Sequence, residues 1–277
     1  MVAVTVEYAD LAGVAEQVAA EAAELVAGAR QAMDRGERVT VETKTSETDV
    51  VTAVDQQAER FIRDRLAELR PTDAVLGEEQ GHHETGEPGQ GAVTWVVDPI
   101  DGTVNFLYGF PWFAVSIAAQ LDGESVAGAV VEPLSGRRWT AVRGAGSWLD
   151  GRVLRVSQPE RIGVALCSTG FAYDAARRRR QADMVACLLR SVGDIRRSGS
   201  AALDLCAVAA GWCDAYVEHG LSPWDWAAAA LVAAEAGAEI TQPGEDPNRG
   251  DDVVIAATPA IAVPLREILT TCGSADV

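Results

Sequence analysis

An apolar run closes on two carboxylates three residues apart. In WVVDPIDGTVNF, Trp95, Val96 and Val97 lead into Asp98 and Asp101, with Pro99 and Ile100 between them and Gly102, Thr103 and Asn105 directly after. Further acids stand at other element ends. Glu78 and Glu79 follow VLG, and Asp225 lies in SPWDWAAAA, where Ser222 reads as an N-cap and Pro223 as the first helical residue. Each has an ordinary explanation: Asp, Pro and Gly make turns, paired Glu residues solvate loops, and acids favour the first turn of a helix through its dipole. The chemical explanation is that they hold a hard cation together. Mg²⁺ takes oxygen ligands in near-octahedral geometry, few from protein and the rest from water and substrate phosphate. Two carboxylates flanking a turn, with a backbone carbonyl between them, supply such a set. Three histidines (His82, His83, His219) and no CxxC pair leave a zinc site poorly supported. A Gly102-Thr103 turn opening a helical stretch leaves backbone N–H groups free, which suits a phosphate. Cation ligands beside an anion cradle suggest metal-assisted hydrolysis of a phosphate ester.

These residues need elements to place them. DLAGVAEQVAAEAAELVAGARQAM predicts a helix over 10–33, with Asp10 as N-cap and Leu11, Val14, Val18, Ala22, Leu25 and Val26 on one face. A second helix is expected over about 55–69, with Phe61, Ile62, Leu66 and Leu69 inward and Pro71 stopping it; AVLGEE then reads as a short strand. From 93 to about 156 the chain is strand-like, and Asp122-Gly123 is a hairpin signal. Beyond about 160, the strands VALCS, DIRRS, DAYVE and VVIAA alternate with helices over 175–192, 200–210, 223–236 and 259–270. The pattern predicts one domain over 1–277, an α+β half (about 1–158) followed by an α/β half (about 159–277). The polar GHHETGEPGQG at 81–91 reads as a mobile loop.

The 277 residues, 48% hydrophobic and 23% charged, suffice for a substantial core. With 23 basic and 41 acidic residues the formal charge is −18, which argues against nucleic acid or an acidic membrane surface as partner. It leaves a small phosphorylated metabolite open, because a bound cation inverts the local field. Five cysteines (Cys167, Cys187, Cys206, Cys213, Cys272) with no short framework read as free thiols in a reducing compartment. The opening MVAVTVEYAD has no basic n-region, and the longest wholly apolar run, WAAAALVAA at 226–234, is far short of a bilayer span. A cytoplasmic location is the expectation. No P-loop or GxSxG is present, and DPNRGDD at 246–252 lacks Gly at the sixth position and Glu at the twelfth position of a calcium loop.

GEE, WVVDPIDGTVNFLYGFPWFAVSIA and PWDWAAAALVAAEAG stand in the order and spacing of the motifs of the inositol monophosphatase family, so the chain resembles these Mg²⁺-dependent, lithium-sensitive phosphatases. The resemblance runs from KTSETDVVTAVD (44–55) to VVIAA (253–257). It implies the layered αβαβα sandwich of the inositol monophosphatase and fructose-1,6-bisphosphatase type, and usually a homodimer. Carried over by residue, it implies that Glu78, Asp98, the Ile100 carbonyl, Asp101 and Asp225 hold two or three Mg²⁺ ions per site. Glu79 would stand behind these ligands or at a weaker further metal. Asp55 and Thr103 would orient the attacking water with Glu78 beside it, Lys44 would stand near the mouth, and Gly102 and Thr103 would offer N–H groups to the phosphate. Gly199, Ser200, Ala201 and Glu218 correspond to the inositol pocket, with Asp225 also facing substrate. The implied reaction is in-line attack by metal-activated water on inositol monophosphate, without a phosphoenzyme. Relatives that take histidinol phosphate, fructose 1,6-bisphosphate or nucleotide phosphates give the alternatives. A regulatory protein on the same fold is a remoter one, which the intact acidic set disfavours. CSTGFAYDAARRRR and the segment 243–252 depart from the family; Arg177 to Arg180 reads as helix surface or as a second phosphate contact.

Overall fold

The computed structural model describes residues 2–43, 50–83 and 92–277; Lys44 and most of the loop expected at 81–91 lie outside them. The N-terminal half opens with α1 (Val2–Asp34), β1 (Val41–Thr43), β2 (Val50–Thr52), α2 (Ala53–Leu69), β3 (Ala74–Gly77), β4 (Gly81–His83) and β5 (Val93–Asp101). It continues through α3 (Thr103–Tyr108), β6 (Ala114–Leu121), β7 (Glu124–Val131), β8 (Arg138–Val142), β9 (Gly146–Leu149) and β10 (Arg152–Val153). The C-terminal half comprises β11 (Leu166–Thr169), α4 (Ala175–Leu188), β12 (Asp194–Arg196), α5 (Ala201–Ala209), β13 (Ala215–His219), α6 (Pro223–Glu235), β14 (Glu239–Thr241), β15 (Val253–Ala257) and α7 (Pro259–Thr271).

Two large sheets follow from the strand periodicity, and β1 and β2 form a separate antiparallel pair. One large sheet is ordered β10-β9-β8-β7-β6-β5-β3-β4, the other β12-β11-β13-β15-β14. Alternate residues of each feed different cores, because a strand's side chains point to opposite faces. On β5, Val93, Trp95 and Val97 pack with α1 and α2, while Val96 faces α5 and α6. On β13, Tyr216 joins α5 and α6 from the other side, while Ala215 and Val217 pack with α4 and α7. The layers therefore run helices, sheet, helices, sheet, helices: the αβαβα sandwich. Held between two sheets, α5 is buried along its whole length, as an all-round apolar helix must be. Asp122 and Gly123, both at positive φ, turn β6 into β7.

Four expectations need correction. The first helix begins at Val2, so Asp10 lies inside it rather than capping it; once the apolar face is docked, adding a turn costs little compared with nucleation. Leu69 is 37% exposed because the packed face of α2 ends at Leu66. Gly81–His83 pairs with β3 instead of looping. Cys187 and Cys272 form a disulfide across a sequence separation of 85, leaving Cys167, Cys206 and Cys213 as buried free thiols. The end of α4 and the residue after α7 meet in the outermost layer, a proximity that spacing does not encode. The free-thiol argument for a reducing compartment therefore loses its support. Among the described residues, no helix is long and apolar enough to cross a membrane.

Candidate active site

Two aspartates three residues apart on a regular strand would face opposite ways. Here the pairing with β6 steps from Asp98 opposite Ser116 to Asp101 opposite Ala114, one residue more on β5 than on its partner. That bulge turns both carboxylates into the same cavity. Asp98 Oδ1 accepts the Ile100 N–H at 2.9 Å. Asp101 reaches the start of α5, where it accepts from the Ser200 hydroxyl and from the Ala202 and Ala201 N–H groups at 2.8 and 3.3 Å. Asp225 sits in the first turn of α6 and accepts the Ser222 N–H at 2.7 Å as half of a capping box. One oxygen from each of these aspartates lies within 4.8 Å of the others. Glu78, whose N–H donates to Val97 O at 3.3 Å, lines the same cavity with Ile100, Gly102 and Thr103.

The charges make the case for a cation. Burial, and then Glu78, Asp101 and Asp225, push the Asp98 carboxyl well above the ordinary range. Burial, and then Asp101 and Glu78, do the same to Asp225. Asp101 is pushed up to about 6 by burial, while its bonds from Ser200, Ala202 and Ala201 hold it down. Mutually repelling acids with oxygen donors only are a donor set that fits Mg²⁺ and no soft metal.

Behind this cluster, Asp55 is fully buried at the start of α2, capped reciprocally by Thr52. Thr103 Oγ1 donates to Asp55 Oδ1 at 2.9 Å and lies 3.1 Å from Ile100 O. Asp55 thus acts on the cavity through Thr103. Glu79 is half-buried and does not line the cavity. Its N–H and that of Gln80 are held by the buried Glu59 at 2.7 and 3.1 Å, and Glu59 pairs with Arg63 at 2.8 Å. This brace was not expected; its one signal is an i,i+4 acid–base pair bordering the apolar face of Ala58 and Ile62.

Across a cavity of about 480 Å³ stand Gly199, Ser200, Ala201 and Glu218. Glu218 accepts the Tyr216 hydroxyl at 2.5 Å, and burial pushes its carboxyl up to about 7 against that bond and the Arg197 charge. Gly170 lies against it so closely that a Cβ would meet Glu218 Oε2 at 1.9 Å. Asp204, buried in α5 and also lining the cavity, is pushed up to about 7 by burial and accepts from Trp112 Nε1 at 3.3 Å. Sequence reasoning missed Asp204 and Gly170; a lone acid in the apolar AALDLCAVAA was the available sign of the first. Gly102, at φ 93, must be glycine twice over, since a Cβ would also lie 3.1 Å from Gly199 O. Arg177 is committed to an ion pair with Asp252 at 2.6 Å. Lys44 lies outside the described residues.

Comparison with known proteins places the chain among relatives. The sequence profile of the inositol monophosphatase family matches residues 7–271. An inositol-1-monophosphatase of Mycobacterium leprae is 52% identical over 235 residues, covering 83% of this chain and 81% of its own. A protein of Xylella fastidiosa named Nus factor SuhB is 39% identical, covering 82% of this chain and 84% of its own. Among solved structures, Mycobacterium tuberculosis SuhB superposes with a TM-score of 0.81 at 45% identity, covering 96% of this chain and 98% of its own.

Proposed function

The chain belongs to the inositol monophosphatase family, and on that premise we propose that it is a Mg²⁺-dependent phosphomonoesterase that hydrolyses inositol monophosphate. The observation that carries this reading is one cavity with two unlike ends: the Asp98, Asp101 and Asp225 cluster at one, Glu218 and the Gly199–Ala201 segment at the other. The name of the Mycobacterium leprae relative supports the substrate.

Glu78, Asp98, Asp101, Asp225 and the Ile100 carbonyl would hold Mg²⁺, which when bound offsets the phosphate charge and renders a water acidic enough to attack phosphorus. The rest is done by the chain. A hydroxyl has one hydrogen, and Thr103 spends its own on Asp55 or on Ile100 O. Toward the cavity it therefore presents only lone pairs, which accept a hydrogen from water and set that water's direction. Asp55, itself fixed by Thr52 at 2.8 Å and 2.5 Å, keeps Thr103 in this orientation. At the other end, Glu218 with a pKa of about 7 is partly protonated at neutral pH, so it can both accept from and donate to the hydroxyls of a polyol.

The test is phosphate release with Mg²⁺, and with a chelator as control, from inositol 1-phosphate, histidinol phosphate, fructose 1,6-bisphosphate and adenosine 3′,5′-bisphosphate. A preference in kcat/KM for inositol 1-phosphate supports the proposal. Preference for another ester replaces the substrate and keeps the chemistry. No release from any of them, with Mg²⁺ binding demonstrated, refutes the enzymatic reading and favours a regulatory role.

A further inference from the structure

Asn105 belongs to the long central motif, yet neither the cation site nor the phosphate turn uses it. It sits in the first turn of α3 and does not line the cavity. Its carboxamide nitrogen donates both hydrogens, one to Trp112 O at 2.7 Å and one to Ser198 O at 2.8 Å. Both partners are carbonyl oxygens, so the amide can stand only one way round. The second bond spans 93 residues and ties the N-terminal half to the loop that becomes Gly199, Ser200 and Ala201. Packing leaves no slack there: a Cβ on Gly199 would lie 2.9 Å from Asn105 Nδ2, and one on Gly102 would lie 3.2 Å from Trp112 O.

We infer that Asn105 is a positioning residue for substrate specificity, the strap that holds the polyol wall of the cavity against the phosphate turn. Besides the bond of the Ser198 side chain to Asp204, the wall has two anchors. Asp101 grips Ser200, Ala201 and Ala202 but also serves the acidic cluster. Asn105 grips Ser198, two residues before Ser200, and ties it to Trp112 without being a member of the acidic cluster. Loss of its two donors should loosen the wall, so that the Ala201 and Ala202 N–H groups open from Asp101 more often, while the carboxylates of the acidic cluster stay where β5 and α6 place them. Aspartate at 105 matches the shape but turns lone pairs toward two carbonyl oxygens; alanine removes the fork without adding charge.

This inference rests on the proposed activity for its substrate, so two readouts are needed. In Asn105→Ala and Asn105→Asp, KM for inositol 1-phosphate should rise roughly tenfold, the order expected for two lost hydrogen bonds, with kcat changed less than about threefold. For p-nitrophenyl phosphate, which has no hydroxyls to meet the wall, KM should stay within about twofold. Hydrogen exchange read on the peptide carrying Ala201, Ala202 and Leu203 should accelerate in both variants without any substrate present, while a peptide from α6 holds its rate. Equal losses on both esters, or unchanged exchange at 201–203, would overturn the inference. Faster exchange in a protein whose wild type releases no phosphate would sink the proposed activity and leave the strap standing.

Discussion

The acidic end of the cavity takes Asp98, the Ile100 carbonyl and Asp101 from one strand and its bulge and adds Glu78 from just past β3 and Asp225 from the first turn of α6, whereas the opposite wall gathers Gly170, the Gly199–Ala201 segment, Asp204 and Glu218 from the C-terminal half alone. The two ends also differ in what holds them. Carboxylates at the first repel one another and are at ease only with a cation or with protons. Groups at the second are satisfied within the protein, Glu218 by Tyr216 and Asp204 by Trp112. On the proposed function, the difference assigns chemistry to the end where like charges are forced together, and selectivity to a wall whose acids are held by hydrogen bonds within the protein.

Breaking the first end should cost most. Asp98→Asn keeps the side chain's shape and removes a charge, so kcat/KM should fall roughly 10³-fold or more on inositol 1-phosphate and p-nitrophenyl phosphate alike. The melting temperature without metal should hold or rise, because a buried like charge is gone. An active variant in steady-state kinetics would refute the cation site. Breaking the second end should be selective. Glu218→Ala should raise KM for inositol 1-phosphate about tenfold and leave p-nitrophenyl phosphate unaffected; a matched loss on both would erase the distinction between the ends.

A third outcome sharpens the contrast by pH. Asp101 at about 6, with Asp204 and Glu218 at about 7, binds protons more tightly folded than unfolded. Between about pH 4 and 7 the folded chain then holds more protons than the unfolded one, so the stability of the metal-free protein falls as pH rises through that window. Mg²⁺ competes with protons at the first end only, so it should raise the melting temperature more at pH 8 than at pH 6. Equal shifts in melting curves at the two pH values would contradict this. The smallest effect on the cavity should come from Cys187→Ser. Losing that cross-link should cost about 2–5 kcal/mol of stability by denaturant titration, while kcat and KM measured on the folded protein stay unchanged.

Legibility in the sequence followed the same division. Asp98, Asp101, Glu78 and Asp225 were visible because strand ends, the Gly-Thr turn and a Ser-Pro helix start are local signals, and the alternation in VTWVVD sufficed to bury the strand behind them. The layered fold was legible through the family resemblance and through the change from strand-rich to alternating texture. What escaped depends on distance in space. Asp204 looked like any helical residue until Trp112 and a second sheet surrounded it. Gly170 carries no turn signal of its own, and only the nearby Glu218 explains it. Glu59 reads as a surface acid, yet it is buried under two backbone N–H groups. The Cys187–Cys272 pairing, 85 residues apart, has no motif at all.

The grip of Asp101 on Ser200 carries a consequence for biosynthesis. The two residues are 99 apart in sequence, and a ribosome adding roughly 5–20 residues per second needs about 5–20 s to pass from one to the other. Asp225 and α6 come later still. A nascent chain with its N-terminal strands already formed therefore carries Asp98 and Asp101 without the hydroxyl and amides that steady Asp101, or the third aspartate of the cluster. The aspartate cluster is complete only once Asp225 has been made, so a nascent chain that stops short of α6 carries two of its three members.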